Sequence, residues 1–259
     1  MAVPCDMDRH FTEVSSVYRD VRTTDREPID LIAKELEDLP HPKGADIGCG
    51  AGRYDLLMFK TIPGLYLTCV DANPAMLEET YGLLAANRID AFEMRQTTVE
   101  DLKLETGAYD FVTSFNAVHH FDLRNFLRKT SDALAAYGHL FIYTRLPEQN
   151  ARNIWGRYFP GFTKTETRLF ALRDIQKAIE NTAELRFVGA TRLRYQRRST
   201  LTRLVKQARG RHYSTFSLYD PEAFEKALAE FRREVQSRFA DVVEWHDENV
   251  LVHARRRDE

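Results

Sequence analysis

Ala45-Asp46-Ile47-Gly48-Cys49-Gly50-Ala51-Gly52-Arg53, running on into Tyr54-Asp55-Leu56-Leu57-Met58, reads as the end of a buried strand, a glycine turn and the first turn of a helix. Glycines at 48, 50 and 52 let the backbone take up positive φ and approach a ligand that a Cβ would hold off. The helix that follows offers free N–H groups and a positive dipole end, a seat for something anionic. A dinucleotide fingerprint would carry a third glycine at position 53, where this chain has arginine, and that argues against NAD. Asp46, two residues before the first glycine, suits a ligand that carries an ammonium group as well as a carboxylate.

An acid for ribose hydroxyls belongs at the end of the next strand, about 20 residues further on. Leu65-Tyr66-Leu67-Thr68-Cys69-Val70 is a short apolar run that closes on Asp71, followed by Ala72-Asn73-Pro74-Ala75-Met76-Leu77. With both features in place, the chain resembles the class I S-adenosylmethionine-dependent methyltransferases, and within them the ubiquinone/menaquinone-methyltransferase-like group that acts on small molecules. The resemblance is specific from about residue 11 to residue 147. It implies S-adenosyl-L-methionine as cofactor and a doubly wound, seven-stranded, mostly parallel α/β sheet (the Rossmann-like methyltransferase fold) with an antiparallel last strand and helical elaborations.

The same resemblance assigns residues to the cofactor. Gly48, Cys49, Gly50 and Gly52 would approach its methionine portion, Asp46 would face its ammonium group, and Asp71 with Ala72, Asn73 and Met76 would meet the ribose side. The backbone carbonyl of Asn116 would accept from the ammonium. Adenine recognition falls at Thr98-Val99-Glu100, where the family usually has Asp-Ala-Glu; the Thr98 hydroxyl or Glu100 would take over the contact. Tyr18 and Arg22, one helical turn apart, match an N-terminal helix that closes over the cofactor, with helix packing and solvation as their alternative roles.

The remaining chain is read from pattern. Phe11, Val14, Val17 and Tyr18, then Ile29, Leu31, Ile32 and Leu36, recur at helical spacing, and Pro28 fits a first turn. Predicted strands lie near 90–96, 109–116, 139–143, 185–195 and 249–254; helices run from about 75 to 87, 169 to 181, 200 to 209 and 221 to 239. A helix from Leu123 is expected to stop at a Tyr137-Gly138 cap. The expected organisation is a single domain over 1–259: a helical lid in 1–40, the cofactor-binding core in 41–147, and substrate-side elaborations with the last two strands in 148–259.

On the acceptor side, His119 and His120 follow the fourth strand, at the edge where ligands of open α/β sheets bind. Imidazole can take a proton from a nucleophile near neutral pH, and a His pair at such a turn can equally cap or fill. Trp155, Tyr158 and Tyr213 are candidate pocket walls and Arg157, Arg211 and His212 candidate anion contacts, each with ordinary packing or solvation as the alternative.

Hydrophobic content of 43% with 29% charged residues is that of a globular enzyme. No apolar run spans a bilayer and no signal-peptide core precedes the fold, so a cytoplasmic protein without membrane contact is expected. Cysteines at 5, 49 and 69 stand in no paired spacing, which argues against a disulfide framework or a zinc site; no metal is expected. Leu185 to Arg211 carries eight arginines and one lysine with no Asp or Glu. That stretch is either one side of a solvated exterior or a basic surface for an anionic substrate or nucleic acid. The expected activity is methyl transfer to a small, aromatic or anionic acceptor; the alternatives are an RNA or tRNA methyltransferase and a non-catalytic S-adenosylmethionine-binding protein.

Overall fold

The computed structural model describes residues 23–258, so Tyr18 and Arg22 lie outside the described residues. In chain order the elements are α1 (Glu27–Glu35), β1 (Lys43–Ile47), α2 (Arg53–Thr61), β2 (Tyr66–Asp71), α3 (Pro74–Ala86), β3 (Phe92–Gln96), β4 (Tyr109–Phe115), α4 (Leu123–Ala133) and β5 (Leu134–Thr144). Three short helices follow, α5 (Pro147–Arg152), α6 (Ile154–Tyr158) and α7 (Phe162–Thr165). Then come α8 (Leu172–Glu180), β6 (Leu185–Ser199), α9 (Leu201–Arg209), α10 (Pro221–Arg238) and β7 (Val243–Arg256).

Seven strands form one sheet in the order β3-β2-β1-β4-β5-β7-β6. β1 pairs in parallel with β2 and β4, β2 with β3, and β4 with β5, whereas β7 runs antiparallel to β5. This is the expected Rossmann-like methyltransferase architecture. The order reverses between β1 and β4, and the carboxyl ends of those two strands flank the crevice where such sheets bind ligands. Helix starts follow local chemistry. Asn73 accepts from the Met76 amide at 3.1 Å with Pro74 in the first turn of α3, and Asp122 accepts from the Asn125 amide at 2.8 Å before α4. Such caps are worth about 1 kcal/mol each. Leu123, Phe126, Leu127 and Thr130 form the buried face of α4, as their spacing predicts.

One expected boundary is wrong. The helix begun at Leu123 ends at Ala133 rather than at Gly138, because Leu134 already has extended dihedrals (φ −68°, ψ 139°) and pairs with Tyr109 as the first residue of β5. Gly138 is required for a different reason: a Cβ there would lie 2.9 Å from the Ala135 carbonyl oxygen and 3.1 Å from that of Tyr109. It serves an irregular strand, where the β4–β5 register shifts and Tyr137 takes φ 62°, instead of capping a helix. The last strand also starts earlier than its sequence pattern suggests, at Val243.

Contacts divide the described chain into two compact units. A sheet unit comprises Thr23–Thr144, Phe170–Thr191 and the chain from Val250 onward; a helical unit comprises Arg145–Leu169 and Arg192–Asn249. The core of the helical unit is aromatic. Trp155, Phe159, Phe162, Phe216 and Phe231 are all 3% exposed or less, and the Trp155 ring meets Phe216 edge-on at 5.2 Å between centroids. No helix among the described residues is long and apolar enough to cross a membrane.

Candidate functional site

The glycine turn is built as its composition predicts. Gly48, Gly50 and Gly52 all have positive φ (79°, 58° and 71°). At Gly52 the need is steric as well as conformational, since a Cβ would lie 2.8 Å from the Thr80 methyl group. Gly50 differs: among the described residues, no atom lies within 4 Å of the place a Cβ would occupy. Its groups are fixed from three sides. The Gly48 and Cys49 amides donate to the Val70 carbonyl at 2.8 and 3.0 Å, the Gly50 amide donates to Asp71 Oδ2 at 2.9 Å, and the Thr80 hydroxyl donates to the Gly50 carbonyl at 2.6 Å. Asp71 Oδ1 also accepts from the Asn73 amide at 2.9 Å. One carboxylate at the end of β2 therefore positions both the turn after β1 and the entry to α3.

Below the turn lies a pair of buried carboxyls. Asp46 is 1% exposed and accepts from the Thr113 hydroxyl at 2.9 Å. Asp55, in the first turn of α2, is 0% exposed, and among the described residues its oxygens meet no N–H or alcohol donor. Its neighbours are the Asp46 carboxyl and the Cys69 thiol. Burial pushes Asp46 up to about 7 against the lowering effect of its hydrogen bonds from Asp55 and Thr113, and burial together with the Asp46 carboxyl pushes Asp55 up as well, so the pair holds a proton where free carboxylates would not. Burial and the same acids push the Cys49 and Cys69 thiols up, which leaves neither as a thiolate nucleophile. Sequence reading took Asp55 for part of a helix start. The signal that could have found it is its place on the buried stripe of α2 with Tyr54 and Met58.

The other donor-side residues surround this turn in sequence and in the sheet. Asn116 ends β4 with φ 54° and donates its amide to the Tyr143 carbonyl at 2.7 Å. His119 and His120 sit in a short 3-10 turn after it, with rings 4.1 Å apart, both partly exposed. Asn73 and Met76 are buried and Ala72 is exposed. Val99 is buried, Glu100 is exposed, and the Thr98 hydroxyl is engaged in a turn with Asp101, accepting from its amide at 3.2 Å.

The acceptor-side candidates other than His119 and His120 all fall in the helical unit. Trp155 and His212 are 3% and 5% exposed, with rings 5.1 Å apart in its aromatic core, and His212 Nδ1 lies 3.0 Å from the Gln207 carbonyl. Packing accounts for both, so neither stands as an open pocket wall or an available anion contact in this unit. Tyr213 is half-buried and accepts from Arg145 at 3.0 Å; Arg145 also donates to Asn249 at 3.2 Å and pairs with Asp247 at 3.5 Å. Sequence reading missed this arginine network, whose acids arrive from a distant segment. Arg157 and Tyr158 line a cavity of about 260 Å³ together with Arg152, Arg194, Trp245 and His246. Arg211 is partly exposed with φ 47°. The acid-free stretch is not acid-free in space: Arg192 pairs with Glu148 at 3.2 Å, Arg197 with Asp247 at 3.4 Å, Arg198 with Glu244 at 3.7 Å and Arg209 with Glu225 at 3.7 Å.

An open backbone cradle, a buried acid pair at its base and a carboxylate one strand over suit a ligand with a zwitterionic tail and a sugar. The fold itself is the Rossmann-like fold of methyltransferases. Residues 45–142 match the family model described as "Methyltransferase domain". The chain is 35% identical over 89 residues to a ribosomal RNA small subunit methyltransferase C of Serratia proteamaculans, a match over 34% of this chain and 25% of that protein. The aligned part is thus a quarter of that relative's length. Among solved structures, the YcgJ protein of Bacillus subtilis superposes with a TM-score of 0.64 at 17% identity, covering 91% of this chain and 100% of that one. A geranyl diphosphate C-methyltransferase of Streptomyces coelicolor A3(2), solved with S-adenosyl-L-homocysteine, gives 0.54 at 19% identity over 88% and 76%.

The acid pair makes stability depend on pH. Because the folded pKa of Asp46 is raised to about 7, the folded state keeps a proton that the unfolded chain releases near its ordinary 3.8. Stability is then fullest at low pH and falls as pH rises through about 7. The ligand-free protein is expected to melt at a lower temperature at pH 8 than at pH 6, and Asp55→Asn should flatten that difference and raise the pH 8 midpoint. Parallel pH profiles for the two proteins would show that the carboxyls do not share a proton.

Proposed function

We propose that this chain moves the methyl group of S-adenosylmethionine to a small aromatic or anionic acceptor, in the manner of the ubiquinone/menaquinone-methyltransferase-like group. The bound cofactor supplies an activated methyl group on a sulfonium centre. The chain's own part is to hold donor and acceptor close and in line, which by itself removes much of the barrier. The observation that carries the reading is the Gly50 amide bound to Asp71, because it presents a rigid turn and a sugar-binding carboxylate as one unit.

In this reading the backbone at 48–52 lies against the cofactor's amino-acid tail, Asp46 and Asp55 draw its ammonium group, and Asp71 uses its remaining lone pairs for the ribose hydroxyls. Asn116 offers a carbonyl to the ammonium, and Thr98, Val99 and Glu100 border the adenine. His119 or His120 takes the proton that a hydroxyl, amine or thiol acceptor gives up. For the acceptor itself, the cavity beside Arg157 and Tyr158 supports the reading in size, about 260 Å³, and in its aromatic side chains, while its arginines share the lining with Glu244 and Glu248.

RNA as acceptor is a second reading, favoured by the partial likeness to a ribosomal RNA methyltransferase. The ion pairs that occupy Arg192, Arg197, Arg198 and Arg209 weigh against it, because paired arginines release few counterions on a phosphate backbone. Binding to bulk ribosomal and transfer RNA across a salt series should be weak with a shallow slope. Tight binding that falls steeply with salt would favour RNA.

Asp71→Ala should raise the Kd for S-adenosylhomocysteine by about a hundredfold or more, since it removes a charged acceptor and unties the turn; wild-type affinity by calorimetry would count against the ribose role. Alanine at whichever of His119 and His120 takes the proton should lower turnover by about a hundredfold or more with cofactor affinity intact. Full turnover in both variants would leave positioning as the whole mechanism.

A further inference from the structure

We propose that Glu35, His139 and His253 form a binding site for a divalent transition-metal ion of the zinc kind, on the β5–β7 side of the sheet and independent of the methyl-transfer reading. One potential ligand atom from each residue lies within 4.8 Å of the other two. They come from three elements of the sheet unit: Glu35 is the last residue of α1, His139 lies in β5 and His253 in β7. The strand register places them. His139 stands beside Phe111, level with Gly44 of β1, and His253 stands beside Phe141, level with Asp46, so β5 and β4 separate the histidines from β1 and its turn.

The two imidazoles face each other, with His139 Nδ1 3.0 Å from His253 Nε2 and the rings within 8° of parallel. Without metal, one ring donates a hydrogen to the other. For metal, both facing nitrogens must present lone pairs, so the donor ring moves its hydrogen to its other nitrogen; both rings stay neutral and no proton is lost. A metal–nitrogen bond of about 2.0–2.1 Å sets two ligand nitrogens about 3 Å apart at a right angle and about 3.4 Å apart at a tetrahedral one. The observed separation is at the short end of that range, so to bind the ion the rings part by a few tenths of an ångström and turn their lone pairs toward a shared point off the nitrogen–nitrogen line. Glu35 supplies the third ligand from an exposed side chain, free to swing the remaining distance, and solvent would complete the coordination.

The surroundings select the ion. His139 is buried at 7% exposure and His253 half-buried, and Phe141 stacks on His253 at 4.7 Å, which holds that ring in place. Glu35 is the acid facing the pair, and Arg255 and Arg186 are the nearby cations. With one carboxylate against two guanidinium groups, a hard cation such as Mg²⁺ or Ca²⁺, which wants several oxygens, has little to gain. Imidazole ligands suit Zn²⁺, Co²⁺, Ni²⁺ and Cu²⁺. An ion held here would join α1 to two antiparallel strands and so stabilise the sheet unit.

The test is titration of the chelator-stripped full chain with Zn²⁺ by calorimetry and with Co²⁺ by visible absorption, alongside Glu35→Gln and His253→Phe. Glu35 is exposed and phenylalanine preserves the stack on Phe141, so both variants should keep the wild-type circular dichroism. The expected result is one equivalent of Zn²⁺, a Co²⁺ ligand-field spectrum, no response to Mg²⁺ or Ca²⁺, and a loss of about a hundredfold or more in Zn²⁺ affinity in each variant. A rise of several degrees in melting temperature with Zn²⁺ should vanish in both. Absence of stoichiometric Zn²⁺ binding, or equal binding in either variant, would overturn the site.

Discussion

The carboxylate of Asp71 is the constraint on which the cofactor side of this molecule depends. Placed at the end of β2, it accepts from the Gly50 amide at 2.9 Å on one oxygen and from the Asn73 amide at 2.9 Å on the other. A glycine-rich turn is by nature loose, and three positive-φ glycines in five residues carry a large conformational entropy to lose. Two charge-assisted hydrogen bonds from one side chain, with the Thr80 hydroxyl on the Gly50 carbonyl, remove that freedom before any ligand arrives. The turn is therefore preorganised, and among the described residues its open side is the one on which a Cβ at Gly50 would meet nothing.

Preorganisation has an electrostatic counterpart beneath the turn. Two buried acids, Asp46 and Asp55, face each other without a cation among the described residues, and they stay together only by holding a proton. A site that keeps such a pair is less stable without its ligand than one built from apolar groups of the same volume, which is the usual relation between binding sites and stability. A ligand bearing a positive charge reverses that imbalance, and a neutral or purely anionic one does not.

Much of this was legible in the sequence because it is local. The strand, turn and helix around Gly48–Gly52 and the acid closing the next strand are set by spacing within some 25 residues, and the helix faces follow from period alone. What was not legible depends on contacts between distant segments. Gly138 carries a helix-cap signal, yet the glycine is needed where the irregular start of β5 passes the Tyr109 carbonyl. The run from 185 to 211 reads as unopposed charge, because Glu148, Glu225, Glu244 and Asp247 that meet it lie elsewhere in the chain. Trp155 and His212 look like pocket residues in a polar, glycine-punctuated stretch, and only packing shows that they build an aromatic core. Asp55 hides for a similar reason: an acid in a first helical turn has an ordinary explanation until its burial is known.

A crystal structure of the chain with S-adenosylhomocysteine tests the central claim most directly. The account predicts the ligand's amino-acid tail over Gly50, with its ammonium end toward Asp46 and its ribose hydroxyls within hydrogen-bonding distance of Asp71. Clear density for the ligand anywhere else, or a turn that stays empty at saturating ligand, would contradict it.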